Sequence, residues 1–157
     1  MTGSSVAESG SADGGAPKQP LIQRLARIGL GAFLAVAGTA HLTILRTEFQ
    51  AQVPEWVPLD KDFVVLASGV VELGLGVALI ALPRWRVPLG WTTAAFFVAI
   101  FPGNISQYLT GTDAFGLNSD TARFARLFAQ PVFVGWALWS TGAWQNWRAK
   151  RSAKKAS

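Results

Sequence analysis

The stretch FVVLASGVVELGLGVALIAL, Phe63–Leu82, decides the fold, because it is 20 residues of almost unbroken apolar sequence. A helix of about 20 apolar residues spans the hydrocarbon core of a bilayer. Glu72 interrupts the stretch near its middle, where a charged carboxylate costs roughly 2.5–3.5 kcal/mol. The stretch therefore predicts a membrane helix in which Glu72 faces protein, is protonated, or has a partner.

The composition of the whole chain also indicates a membrane protein. Half of the 157 residues are apolar and 15% are charged, against about 25% charged in soluble domains. The absence of cysteine excludes disulfides and a self-contained dithiol oxidoreductase. The net charge of +5 lies at the chain ends and in one short connection. Nucleic-acid binding would need a basic folded face, so we expect the lipid bilayer and no nucleic acid as a partner.

Four apolar segments predict an all-α fold, an integral membrane four-helix bundle. Residues 1–20 are rich in Gly, Ser, Ala and Pro and predict a disordered cytoplasmic tail. Residues 21–147 form the predicted transmembrane domain, and 148–157 a basic cytoplasmic tail. The predicted spans are Leu21–Leu45, Phe63–Leu82, Leu89–Leu109 and Arg123–Trp147.

Prolines mark two special places along this pattern. Pro54 and Pro58 flank Trp56 in the connection Arg46–Asp62, which predicts a stiff loop with Trp56 at the headgroup boundary. Pro102 lies near the end of the third span, where a proline removes one helical hydrogen bond. We expect it to kink or end that helix and to turn Asn104 inward.

The basic residues are distributed unequally between the two sides of the predicted bundle. Ten fall on the side of the chain ends, and four, Arg46, Lys61, Arg123 and Arg126, fall on the other side. The positive-inside rule then predicts a multi-pass plasma-membrane protein with both termini in the cytoplasm. The ten are Lys18, Arg24, Arg27, Arg84, Arg86, Arg148, Lys150, Arg151, Lys154 and Lys155.

Polar side chains converge in the outer half of this bundle. Glu72 lies roughly 14 Å from the outer face at 1.5 Å per helical residue. The other polar residues follow helical spacing on the remaining spans, so each span can turn them inward. The predicted pocket consists of His41, Glu72, Asn104, Gln107, Arg126 and Gln130.

Two interpretations of this polar pocket remain open. Glu72 can pair with Arg126 or His41 and only hold the bundle together. Alternatively, the pocket can bind a ligand such as a quinone, or handle protons. One His and one Glu supply too few ligands for a metal, so no metal site is expected. Under either interpretation we expect Glu72 within hydrogen-bond or ion-pair reach of Arg126 or His41, with Gln130 nearby.

The order of several short motifs resembles the DoxX-like membrane proteins, a family named after proteins similar to a subunit of an archaeal thiosulfate:quinone oxidoreductase. The resemblance implies a four-helix membrane fold. It also implies a redox-associated subunit without a self-contained catalytic motif. The pocket of such a subunit would face quinone or lipid, and its partner would be a membrane or periplasmic-side redox protein. The alternative is a non-enzymatic assembly or structural protein. The motifs are Arg27 with the following glycines, AGTAHL (37–42), VPEWVP (53–58), SGVVELGLGVAL (68–79), FPGN (101–104) and RLFAQPVFVGWALW (126–139).

Overall fold

The computed structural model of the protein describes residues 19–114, 116 and 119–156, and these residues are mainly helical. The predicted tail 1–20 therefore lies, except for Gln19 and Pro20, outside the described residues. The helices are α1 (Leu21–Leu42), α2 (Arg46–Gln50), α3 (Lys61–Ala81), α4 (Arg86–Thr110), α5 (Asp120–Ser140) and α6 (Ala143–Ala156), with a 3₁₀ turn, Pro83–Trp85, before α4.

Three helices in the described part of the chain are long and apolar enough to cross a membrane. They are α1, α3 and the continuous segment Pro83–Thr110. Helix α5 has 21 residues, but it carries Arg123, Arg126 and Gln130 and is less apolar than the other three. The all-α class is thus confirmed, and the membrane class is supported by three of the four predicted spans.

The helix ends follow from local capping residues. Asp60 accepts a hydrogen bond from the Phe63 backbone N–H at the start of α3, at 2.9 Å. Ser119 accepts one from the Ala122 N–H at the start of α5, at 3.2 Å. Gly111 ends α4 with φ of 63°, and Gly142 follows α5 with φ of 73°. Glycine adopts this left-handed conformation without the steric cost that a Cβ brings.

Several of the predicted segment boundaries differ from those in the structure. The predicted span Arg123–Trp147 ends at Ser140, because the turn at Gly142 separates it from α6. Helix α6 continues to Ala156, so the predicted basic tail is helical over most of its length. Pro102 does not end the third span, since α4 continues through it to Thr110. The predicted loop after α1 also begins with α2, a single short helix.

Glycines bring α1 and α3 into backbone contact along an antiparallel interface, here called the glycine seam. A Cβ added to Gly38 would lie 2.6 Å from the Gly69 carbonyl oxygen, and one added to Gly76 would lie 2.6 Å from the Gly31 carbonyl oxygen. Small residues allow this close approach of two helices. The seam is therefore defined by Gly31, Gly38, Gly69 and Gly76.

Helices α4 and α5 form a second antiparallel pair, which packs on the first through an apolar core. Buried Leu34 and Leu79 from the first pair meet Phe97 and Ala137 from the second. The contact between the two pairs is less extensive than the contact within each pair. We call the end that holds α2, residues 111–114 and residues 119–120 the acidic end. The end that holds residues 19–24, 83–86 and α6 is called the basic end.

Candidate functional site

A cavity of about 520 Å³ opens between the two helix pairs in the acidic half of the molecule. All four long helices line it, and residues from Leu45 to Val57 cover it at the acidic end. Its wall is mostly apolar and aromatic, with Phe33, Phe97 and Phe133 stacked on one another. A volume of this size lies within the range of small-molecule sites, roughly 300–1,000 Å³.

His41 and Glu72 meet at the wall of this cavity. His41 Nδ1 lies 3.1 Å from Glu72 Oε2 and 2.8 Å from the Ala37 carbonyl oxygen. Because Nδ1 faces a carbonyl oxygen that can only accept, it carries the ring proton. The nearer acceptor takes that hydrogen bond. Glu72 Oε2 is thus within ion-pair distance of the imidazole but has no full hydrogen-bond partner.

Both residues of this pair are buried, so their polar atoms need hydrogen-bond partners within the protein or from a ligand. His41 is 6% exposed and Glu72 5% exposed. The seam explains the position of both side chains, since Gly38 and Gly69 let α1 and α3 approach beside them. The His41 ring also stacks on Phe49 of α2. A buried carboxyl oxygen without a hydrogen-bond partner is costly and, at a cavity wall, can accept one from a ligand.

Asn104 and Gln130 form the opposite wall, between α4 and α5. Asn104 Nδ2 donates to Gln130 Oε1 at 2.9 Å, and Gln130 Nε2 donates to the Phe97 carbonyl oxygen. That carbonyl lies in the turn before Pro102, whose missing N–H loosens the helical ladder there. Asn104 is 8% exposed and faces inward, as the sequence predicted.

Gln52 belongs to residues 45–57, here called the cover, and connects them to the second helix pair, α4 and α5. Its Nε2 donates to Gln107 Oε1 at 2.8 Å, and its Oε1 accepts from Arg126 Nη2 at 3.1 Å. Gln107 in turn donates to the Thr112 carbonyl oxygen at 3.3 Å. Gln52 lies in an irregular connection without helical periodicity, so nothing in the sequence pattern pointed to it.

Ion pairs hold the cover in place at the acidic end. Asp62 accepts from Arg46 through both carboxylate oxygens and from Gln50 Nε2 at 2.7 Å. The hydrogen bond to Asp62 holds the pKa of the Arg46 guanidinium above its ordinary value. Arg123 pairs with Asp113 and, at 2.7 Å, with Asp120. These contacts tie α2 to the start of α3 and the residues before α5 to its first turn.

The structure brings five of the six predicted pocket residues to one cavity. His41, Glu72, Asn104, Arg126 and Gln130 line it, whereas Gln107 lies behind the wall and reaches it through Gln52. Of the two partners predicted for Glu72, Arg126 and His41, it is His41 that lies within ion-pair distance, at 3.1 Å. Among the described residues, the ion pair of Glu72 is with His41, while Arg126 donates to Gln52.

Several lining residues were not part of the predicted pocket. Phe33 and Phe49 contribute aromatic surface, and Trp56, which was expected at the headgroup boundary, also lines the cavity. Pro54 lines it too, in agreement with a stiff cover over the outer mouth. Within the described part of the chain, no three His, Cys, Asp or Glu side chains lie close enough to hold a metal ion.

The arrangement can bind the polar head of an apolar molecule. The cavity offers a donor on Arg126 and an acceptor on Glu72, between aromatic walls. Val36 and Phe33 line the cavity and are both exposed, so the cavity is open on the side of α1 that carries them.

Comparison with known proteins places the chain in a family but assigns no activity. A family model described as a domain of unknown function, DUF8561, matches residues 30–141. The matched region includes α1 from Leu30 onward and α2 to α5, and with them every residue of the predicted pocket. No curated protein and no solved structure matches the chain. Because the match covers more than half of the sequence, the chain belongs to the DUF8561 family.

Proposed function

We propose that this protein is a redox-associated subunit of the plasma membrane that binds the head of a quinone in the cavity beside His41 and Glu72. One observation carries the proposal. A buried carboxyl oxygen that lacks a full hydrogen-bond partner faces a cavity of about 520 Å³ with apolar walls. A quinone head offers carbonyl oxygens to donors and, when reduced, hydroxyl donors to Glu72.

The protonatable pair supports a quinone over an ordinary lipid tail. Reduction of a quinone to a quinol takes up two electrons and two protons, so a site for it needs groups that exchange protons. His41 and Glu72 can do this in contact with the cavity. Electrons would come from a redox partner on the membrane or on its outer side, as the resemblance to the DoxX-like proteins implies.

The membrane arrangement is part of the proposal. We propose that α1, α3, α4 and α5 all span the bilayer, in the four-helix arrangement of the DoxX-like proteins that the motifs resemble. Buried Arg123 and Gln130 support a spanning α5, since its polar residues turn into the bundle rather than toward lipid. At 21 residues, α5 also has the length that a span needs.

The orientation follows from charge and can be tested directly. We propose that the acidic end faces outward and that both termini are cytoplasmic. The chain has no native cysteine, so single cysteines at Ser4 and Glu55 report their own side. In intact cells an impermeant thiol reagent should label Glu55→Cys and spare Ser4→Cys until the membrane is permeabilised. The reverse labelling pattern would invert the orientation.

The quinone proposal is tested by binding to the purified full chain in mild detergent. Trp56 lines the cavity, so a short-tailed ubiquinone or menaquinone analogue should quench its fluorescence in a saturable manner. Glu72→Gln and His41→Phe should weaken binding by about tenfold, the equivalent of one lost hydrogen bond to a charged group. The matched control is Glu55→Gln, which changes a carboxylate on the exposed side of the cover.

A second candidate is an assembly or structural role without a ligand, and the glycine seam favours it. The seam and the hydrogen bond between Asn104 and Gln130, which joins α4 to α5, would stabilise the bundle whether or not a ligand binds in the cavity. The two candidates differ in the binding test. Quenching that does not saturate, or that is equal in wild type and Glu72→Gln, would leave the structural role.

A further inference from the structure

The basic end contains a buried arginine that the cavity chemistry does not use. Arg27 of α1 is 2% exposed, and its Nη1 is buried without a hydrogen-bond partner. Its Nε donates to Gln19 Oε1 across a long 3.4 Å. An arginine stays charged under essentially all conditions, so this site holds a permanent positive charge away from water.

The surroundings of Arg27 supply no opposite charge among the described residues. Arg24 and Arg86 are close enough to repel Arg27, because all three side chains are positively charged. The described carboxylates belong to the acidic end and to Glu72 in the other half of the bundle. A buried charge without a counter-charge costs several kcal/mol. The site is therefore incomplete in the chain that the structure describes.

Hydrogen bonds connect this charge to the end of α5. Gln19 bridges it to α5, since its Nε2 donates to the Ser140 carbonyl oxygen. The Ser140 hydroxyl is itself buried without a partner. Arg86 Nη1 donates to the Thr141 carbonyl oxygen at 3.1 Å, so a second guanidinium lies against the same end of α5. Guanidinium and hydroxyl donors together are the usual ligands of a phosphate group.

The depth of the site matches a lipid headgroup. Arg27 lies six residues into α1, or about 9 Å along the helix axis. Helical side chains lean toward the N-terminus, and the contact with Gln19 carries the guanidinium back to the level of the helix start. Exposed Trp85, Trp144 and Trp147 lie at the same end, where aromatic residues mark the boundary between lipid and water.

We propose that Arg27, Ser140 and Arg86 form a binding site for one phosphate group. The side chain of Gln19 lies against Arg27 and moves aside when the phosphate binds. The group can come from the headgroup of an anionic lipid or from free phosphate in solution. The proposal does not depend on what binds in the cavity at the acidic end. The site would fasten α1 to α4 and α5 at the basic end, where the two helix pairs have no seam.

Thermal unfolding of the purified full chain in nonionic detergent tests the site. Phosphatidylglycerol added to the micelles should raise Tm in proportion to the logarithm of its concentration, as a ligand of the native state does. Arg27→Gln should need at least about tenfold more lipid for the same shift. Arg84→Gln removes an exposed arginine at the same end and should respond like wild type.

A parallel titration with inorganic phosphate separates the two sources. A shift with phosphatidylglycerol alone identifies a lipid headgroup, and a shift with inorganic phosphate as well identifies a site for the free anion. Either result supports the proposal if Arg27→Gln suppresses it. No shift from either additive, or equal suppression in Arg27→Gln and Arg84→Gln, would overturn it.

The stability of the variants without additive gives an independent readout. Since Arg27 has no counter-charge, Arg27→Gln should be at least as stable as wild type in lipid-free detergent. A marked loss of stability would mean that Arg27 already has a partner, and would overturn the proposal. If Arg27→Gln does not fold for other reasons, Ser140→Ala keeps the charge and should still weaken the lipid response several-fold.

Discussion

The glycine seam and the cavity are two interfaces of the same helices, and they are built from opposite kinds of residue. Along the seam, α1 and α3 touch backbone to backbone, with no side chain between Gly38 and Gly69. Around the cavity, large aromatic and amide side chains keep the two helix pairs apart. Close contact on one side of α1 and α3 therefore fixes His41 and Glu72, while space on the other side leaves them open to a ligand.

Disrupting the His41–Glu72 pair should have the largest effect on stability. Glu72→Ala and His41→Ala should each cost about 3 kcal/mol in free energy of unfolding, because each strands a buried polar partner. The double mutant should lose less than the sum by about 1–2 kcal/mol, since the two residues contact each other. Detergent unfolding monitored by tryptophan fluorescence measures all three.

Arg126 supplies the matched comparison for this cycle. The structure pairs Glu72 with His41 and lets Arg126 donate to Gln52. We therefore expect the Glu72–Arg126 cycle to show a smaller coupling than the Glu72–His41 cycle. A larger coupling to Arg126 would mean that the Glu72 carboxylate faces α5 in solution. The seam would then not fix Glu72 beside His41.

A methyl group in the seam should have the next largest effect. Gly38→Ala places a Cβ 2.6 Å from two backbone atoms of α3, so the helices must move apart. Overpacking of this kind costs about 2–3 kcal/mol. Gly74→Ala is the control, because its Cβ would meet nothing within 4 Å. It should be neutral or stabilise α3 by up to about 1 kcal/mol. Equal losses in both variants would show that the seam is not closely packed.

Releasing the cover should have a moderate effect. Gln52→Ala removes hydrogen bonds to Gln107 and Arg126 and should cost about 1 kcal/mol. Hydrogen exchange should rise in α2 and in residues 51–57 while the seam stays protected. Gln50→Ala is a comparison within the cover, since Asp62 keeps its two contacts with Arg46. An exchange increase that spreads to α3 would mean that cover and seam unfold together.

Restoring the helical hydrogen bond at Pro102 should have the smallest effect on stability. Pro102→Ala returns an N–H to the ladder of α4, and the side chain is exposed, so the variant should lose no stability relative to wild type. Because Pro102 lines the cavity, affinity for the quinone analogue should still change several-fold. Unchanged affinity would show that the geometry of this turn does not shape the cavity.

The parts of the molecule that the sequence predicted are those that a helical repeat determines. The long helices and the inward position of Asn104 both follow from spacing along one helix. A contact of Glu72 with either Arg126 or His41 was expected, because few groups in an apolar bundle can pair with a buried carboxylate. Both expectations needed only local sequence and the cost of burial.

The remaining features depend on where irregular segments fold back in three dimensions. Gln52 and Phe49 reach the site because residues 45–57 lie over the cavity, and no periodicity indicates this. Arg126 was expected to reach Glu72, but a glutamine from the cover takes its hydrogen bond instead. The end of α5 was placed too late because a single glycine, Gly142, turns the chain between two helical segments.

The position of the glycine seam in the chain has a consequence for biosynthesis. Every residue of the seam lies between positions 31 and 76, so α1 and α3 can pair before α4 and α5 have left the ribosome. Chains are made from the N-terminus, and early segments can form structure first. The carboxylate of Glu72 would then enter the bilayer with His41 already beside it. Because the hairpin of α1 and α3 carries both Glu72 and His41, the carboxylate would not be exposed to lipid as a lone charge while α4 and α5 are still being synthesised.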